Sequence, residues 1–231
     1  LTLKPLPHPG YNFLRWQNIT DSISINYNCN IDSSFTAIFQ LSDEIILPNI
    51  ISENTVLDNS QMHVLNNDLT ILPEANLIIN EGVLIRMPQD GNILVEGQLI
   101  INGNEENPVQ IGSNIASGVS KWGAICFNNQ ADTSIISNLY LSGASIGIDP
   151  LIYPAAISGY NSNIILDNIK VENVEFPIYI DGGFVSLGNS SITTDVICDY
   201  INVKRADVII ENCHFYGSNA MDTDAIDLDN V

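Results

Sequence analysis

The chain has 231 residues, 45% of them hydrophobic and only 15% charged, which suits one large domain beside a small module. Twenty-seven Asp and Glu against seven Lys and Arg leave a formal charge of −20. That balance excludes a phosphate-gripping nucleic-acid surface and disfavours anionic membranes, and an acidic extracellular protein able to take up cations is the class that remains.

Residues 1–42 differ from the rest. Pro9-Gly10 makes a turn before alternating aromatics at Tyr11 and Phe13, with Leu14 or Trp16 as the next member. Ser22-Ile23-Ser24-Ile25-Asn26-Tyr27 alternates with period two, and Phe35-Thr36-Ala37-Ile38-Phe39 reads as a third strand. The order Gly-Tyr-x-Phe-x-x-Trp, Ser-x-Ile, Phe-Thr-Ala-x-Phe over residues 9–39 resembles the closing half of the internalin-type β repeat of bacterial surface proteins, with its early strands absent. Residues 43–53, where Asp43-Glu44 and Pro48-Asn49 separate short apolar runs, read as a linker.

From residue 54 to 231 a solenoid is expected. Asn76-Leu77-Ile78-Ile79-Asn80-Glu81-Gly82 is echoed by Asn92-Ile93-Leu94-Val95-Glu96-Gly97 and by Gln98-Leu99-Ile100-Ile101-Asn102-Gly103, short β-rich steps that suit narrow first coils. Residues 104–121 are small and polar and read as a loop. After Trp122 an apolar residue followed by Ile recurs at Ala124-Ile125, Ala156-Ile157, Pro177-Ile178, Val196-Ile197 and Ala225-Ile226. In step with it come Asn138, Asn168, Asn189 and Asn212, each followed three residues later by Leu141, Val171, Ile192 or Phe215. One Asn per turn without a following Gly is not hairpin punctuation; stacked Asn side chains can instead bond along a ladder. The expected fold is therefore all-β, a right-handed parallel β-helix of the pectate-lyase-like kind with a small N-terminal β module. Longer turns near 143–154 and 214–223 are expected to project as loops, where binding usually resides.

Cys29, Cys126, Cys198 and Cys213 lack metal-ligand spacing. Cys126 and Cys198 share a place in the repeat, three turns and so roughly 14 Å apart, too far to bridge. All four are expected to be unpaired. No signal peptide opens the sequence and no run of 18 apolar residues could span a bilayer, so membrane insertion is not expected. Leu1 is not a natural start and Val231 falls inside a motif, so a piece of a longer polypeptide with further coils is expected.

The stretch with chemical potential is Asp222-Thr223-Asp224-Ala225-Ile226-Asp227-Leu228-Asp229. With Ile226 and Leu228 inward, alternation places Asp227 and Asp229 on one outward face, Asp222 and Asp224 at the preceding corner and Asp199 close by. Clustered carboxylates repel unless solvent, a shared proton or a cation relieves them, and calcium is the hard cation such ligands suit, so Asp222, Asp224, Asp227 and Asp229 are candidate calcium ligands. The element is similar to the Asn-Thr-Asp-Gly-Ile-Asp motif of polygalacturonase-type glycoside hydrolases, a resemblance that implies a catalytic carboxylate at Asp224, with Asp227 beside it. Asp222 and Ala225 depart from the motif, and the family's later elements are absent. A lyase would need calcium and a basic residue, and Lys204-Arg205 is the basic pair beside this stretch.

Other groups suggest less chemistry. His8, His63 and His214 are scattered, while Tyr153, Tyr160, Tyr179 and Tyr216 can line a sugar-stacking face. The succession Gly97-Gln98-Leu99, Trp122-Gly123-Ala124-Ile125, Asp199-Tyr200-Ile201-Asn202-Val203-Lys204, Glu211-Asn212-Cys213-His214-Phe215-Tyr216-Gly217 and the Asp-rich element resembles the β-helix region of large secreted bacterial proteins. Those proteins also carry spore-coat-kinase-like and lamin-tail domains. The resemblance implies a secreted or cell-surface setting of the Bacteroidota type, with export by the type IX system. The function expected is a non-catalytic rigid spacer and binding surface, with glycans or other cell-surface components as candidate partners. A polysaccharide hydrolase or lyase with an incomplete site is the alternative.

Overall fold

The computed structural model describes residues 2–5, 11–17, 19–22, 24–26, 34–41, 43–113, 121–194, 196, 198–217 and 224–231, and its regular elements are all β-strands. Two compact units divide at Glu44 and Ile45. In the first, Tyr11–Trp16 pairs antiparallel with Ala37–Leu41 across a bulge between Phe13 and Arg15, and Thr2–Leu3 pairs with Ile25–Asn26. Phe13 lies 5.6 Å from Trp16 and 6.0 Å from Phe39 between ring centroids; strict alternation would set Phe13 and Trp16 on opposite faces, and the bulge brings the two rings together.

The second unit is a parallel β-helix, as the repeat predicts. Its coils have three walls. The first holds Ile50–Ile51, Leu69–Ile71, Ile93–Val95, Ile125–Asn128, the opening halves of Ile157–Asp167, Ile178–Gly188 and Ile201–Glu211, and finally Ile226–Asp229. The second holds Thr55–Leu57, Asn76–Asn80, Gln98–Asn102, Ser134–Ser137 and the closing halves of the same three long strands. The third runs from Glu44–Ile46 through Met62–Val64, Leu84–Met87, Val109–Ser113, Leu139–Ser142, Lys170–Glu172 and Ser191–Thr193 to His214–Tyr216. Like side chains stack in register: Leu69, Ile93, Ile125, Ile157, Ile178, Ile201 and Ile226 form one inward column of the first wall. Leu141, Val171, Ile192 and Phe215 form one in the third. From Leu69 to Ile201 the first column is at most 2% exposed, and each such side chain contributes roughly 1.5–3 kcal/mol of burial before conformational entropy is set against it.

Two kinds of corner hold the walls together. Asn138, Asn168, Asn189 and Asn212 take φ of 54°, 50°, 50° and 55°. Asn168 Nδ2 donates to Asn138 Oδ1, Asn212 Nδ2 donates to Asn189 Oδ1 at 3.3 Å, and Asn189 Nδ2 donates to Asp167 Oδ1 at 2.8 Å. The expected Asn column exists. A second left-handed corner, between the first and second walls, runs through Asn129, Asn161, Gly182, Arg205 and Asn230. Here Asn161 Nδ2 donates to Asn129 Oδ1 at 3.2 Å. At Gly182 (φ 84°) a Cβ would strike the Asn161 amide oxygen, so any other residue there would have to displace that side chain.

Four details differ from the sequence reading. Residues 43–53, read as a linker, include the division at Glu44 and Ile45 and supply strands Glu44–Ile46 and Ile50–Ile51, with Leu47 and Ile51 buried. Val109–Ser113 is a third-wall strand inside the stretch expected to be a loop, its Val109 and Ile111 side chains pointing into the core; residues 114–120 lie outside the described residues. Asn76–Asn80 pairs with Gln98–Asn102, whereas Ile93–Val95 belongs to a different wall. The repeat passes through Ile201 rather than Ile197, because Ile201 is the register partner of both Ile178 and Ile226. Cys198 therefore leaves the column of Cys126. Cys126, Cys198 and Cys213 are unpaired, and Cys29 lies outside the described residues.

Candidate functional site

The acidic element belongs to the outward face of the first wall. Two columns stand side by side there, Cys126–Ser158–Tyr179–Asn202–Asp227 and Asn128–Tyr160–Asp181–Lys204–Asp229. Register partners are about 4.8 Å apart and the two columns about 6.6 Å; Cys126 and Ser158 are buried, and the side chains from Tyr160 and Tyr179 to Asp227 and Asp229 are within reach of one extended ligand. As alternation required, Asp227 and Asp229 share this face.

Their neighbours relieve their charge. Asn202 Nδ2 donates to Asp227 Oδ2 at 2.7 Å and to Asp199 Oδ2 at 3.3 Å, tying the two acids through one amide. Lys204 Nζ lies 3.6 Å from Asp229 Oδ2 and 5.8 Å from the centre of the Tyr179 ring. Arg205, in its left-handed corner, bonds to Asp181. The basic pair thus neutralises acids on both sides, and the face alternates phenol, carboxylate and cation. Asn202 Oδ1 is buried without a partner.

Of the four acids proposed as cation ligands, Asp224, Asp227 and Asp229 are described and Asp222 lies outside the described residues. Asp224 is exposed at the corner. Among the described residues no three His, Cys, Asp or Glu side chains converge as a metal centre would require.

The four tyrosines separate. Tyr160 and Tyr179 are half-buried in the two columns, and Tyr216 stands on the third wall with His214, their rings 6.1 Å apart and nearly parallel. Tyr153 is buried beneath the loop of residues 143–154, which folds back over the first wall and encloses Ala124 and Cys126. Gly147 N donates to Tyr153 O at 2.7 Å to close this loop, so the turn expected to project instead covers the sheet. Burial pushes the Cys126 thiol and the Tyr153 phenol each up to about 12.

On the third wall Tyr140 bonds Glu172, Lys170 Nζ lies 2.8 Å from Glu172 Oε2, and Lys170 sits 5.1 Å over the Tyr140 ring. Burial first, then the Glu172 bond, raises the Tyr140 phenol to about 12. For Glu172, burial acts upward, but the bonds from Lys170 and Tyr140 outweigh it and hold its carboxyl below the usual range.

Sequence reading missed Asn202, Asp181 and Tyr160's place beside them. Displacing the repeat to Ile197 put Cys198 where Asn202 stands; the signal that would have corrected it is Ile201-Asn202-Val203-Lys204, aligned with Ile178-Tyr179-Ile180-Asp181. Comparisons with protein-family models, curated proteins and solved structures give no match.

Proposed function

We propose that this β-helix is a non-catalytic, rigid part of a large secreted or cell-surface protein, and that the outward face of its first wall binds neutral polysaccharide. Support comes from one observation: Tyr160 and Tyr179 lie in adjacent columns among Asp181, Asn202, Lys204 and Asp227, on strands locked by the parallel ladder. Phenol rings offer flat apolar area to pyranose faces, while carboxylate, amide and ammonium groups match sugar hydroxyls. A rigid sheet orders few groups on binding, which favours even a shallow contact. Neutral sugars are preferred over uronates because Lys204 and Arg205 are already engaged by Asp229 and Asp181. The acids left over repel an anionic chain.

Titration calorimetry with neutral and uronate oligosaccharides tests this. Neutral chains are expected to bind, and Tyr179→Ala to weaken them about tenfold, or ~1.4 kcal/mol. No reducing ends should appear on incubation with polymer. Binding indifferent to both Tyr160→Ala and Tyr179→Ala would sink the proposed face. Chain cleavage abolished by Asp227→Asn would replace it with the hydrolase or lyase.

A further inference from the structure

The second wall presents a different surface. Its central outward column is Val56, Ile78, Ile100, Ile135, Ile165, Ser186 and Ile209, one residue per coil and aliphatic in six of seven. Val56, Ile135 and Ile209 are 59%, 40% and 46% exposed. The columns beside it are polar: Asn76 and Gln98 on one side, Asn80, Asn102 and Ser137 on the other. Over these coils the outward residues of the wall's strands carry no charge, in a chain whose formal charge is −20. Acids enter only further along, at Asp167, Asp207 and Glu211. An aliphatic column of this length on the outside of a soluble sheet is an association surface, since apolar area of that extent is rarely left to water.

We infer that a second copy of this chain covers the second wall, the two sheets packing face to face. Three observations select that occupant. The column repeats at the coil pitch of about 4.8 Å, and a partner that interdigitates with it along its whole length needs the same pitch, which another copy supplies. The acids stand at one end of the wall and in its outer columns, so a two-fold axis across the coil stack sets them against the partner's uncharged end and no carboxylate faces a carboxylate, a juxtaposition that would otherwise oppose like-charged partners. The area suffices. Strands of five residues and seven coils span roughly 17 by 34 Å, so two opposed walls remove on the order of 1,100 Å² from water, the small end of specific interfaces. A weak, reversible dimer with two-fold symmetry follows.

Sedimentation velocity on the 231-residue chain over a concentration series tests the assignment. Dimer should accumulate as protein concentration rises, and more so at about 0.5 M NaCl than at low salt, because screening shortens the reach of the repulsion between the acidic copies. Ile100→Lys with Ile135→Lys should weaken association roughly a hundredfold, like charges facing across an interface being strongly disfavoured. Ser191→Lys, which adds the same charge to the third wall, should leave association unchanged. Circular dichroism checks that each variant is folded, and Ile135→Lys alone serves if the pair is not. A chain that stays monomeric at every concentration and salt overturns the inference. So does a dimer indifferent to the lysines, which would use another surface, or association that appears only when a different protein is added.

Discussion

Asn168 accepts a backbone conformation that most residues avoid. Its φ of 50° lies in the left-handed region, where a Cβ crowds the following carbonyl and only Gly or a short side chain that bonds locally is at ease. Its amide nitrogen bonds Asn138 and its backbone N donates to Gly188 O at 3.0 Å, so one residue turns the chain and joins three coils. The two contributions separate by substitution. Asn168→Gly keeps the backbone freedom and loses the side-chain bond, which should cost about 1 kcal/mol. Asn168→Ala loses both and should cost about 2–3 kcal/mol. Urea midpoints rank the variants, and equal costs would mean that the left-handed turn carries no energetic weight. The same chemistry made this corner legible: one residue type meets both demands, so it recurs. The other corner meets the same backbone demand with Asn129, Asn161, Gly182 and Arg205. Gly182 and Arg205 interrupt the Asn series there, so the corner does not stand out as a one-letter repeat.

Elements of the later coils were legible where a strand and its corner share one period. The earlier coils were not, because their strands are short and apolar and a run such as Gln98-Leu99-Ile100-Ile101-Asn102 fits any wall. Residues 43–53 look like a linker because each of their two strands has only two or three residues. Coverage of one element by another was also beyond periodicity: Cys126 occupies an outward column and is fully buried, since the loop of residues 143–154 lies on it. That loop has a pH signature. Cys126 and Tyr153 are held at about 12, against ordinary values of 9.0 and 10.0, by burial. Between those limits the unfolded chain releases protons that the folded chain keeps, so stability falls as pH rises. The contribution is intact below pH 9 and gone above about 12. Cys126→Ala with Tyr153→Phe should therefore move the alkaline unfolding midpoint upward. A thiol reagent should meet Cys126 only as that transition begins; reaction at neutral pH in the folded state would contradict the covering loop.

Along the solenoid each coil packs its core and pairs its strands with its neighbours, so stability is close to a sum of coil and interface terms while charge repulsion acts through the full stack. With 27 acids against seven bases, the acids in excess repel one another, and most of that repulsion is between exposed groups that salt screens. Melting temperature should accordingly rise with ionic strength. The acids most suited to a specific cation, Asp227 and Asp229, already have Asn202 and Lys204 as partners. Calcium must displace those contacts to bind there, and the gain from a divalent ion has to exceed the loss of an amide bond and an ion pair. Screening alone makes calcium and magnesium chlorides equivalent at matched ionic strength, raising the melting temperature by the same amount. A site built on Asp224, Asp227 and Asp229 would instead give a calcium-only rise at concentrations too low to screen, and Asp227→Asn would remove it. Differential scanning calorimetry with the two salts decides between the outcomes. Equal curves are expected, because the lysine and the asparagine already do locally what a bound ion would do.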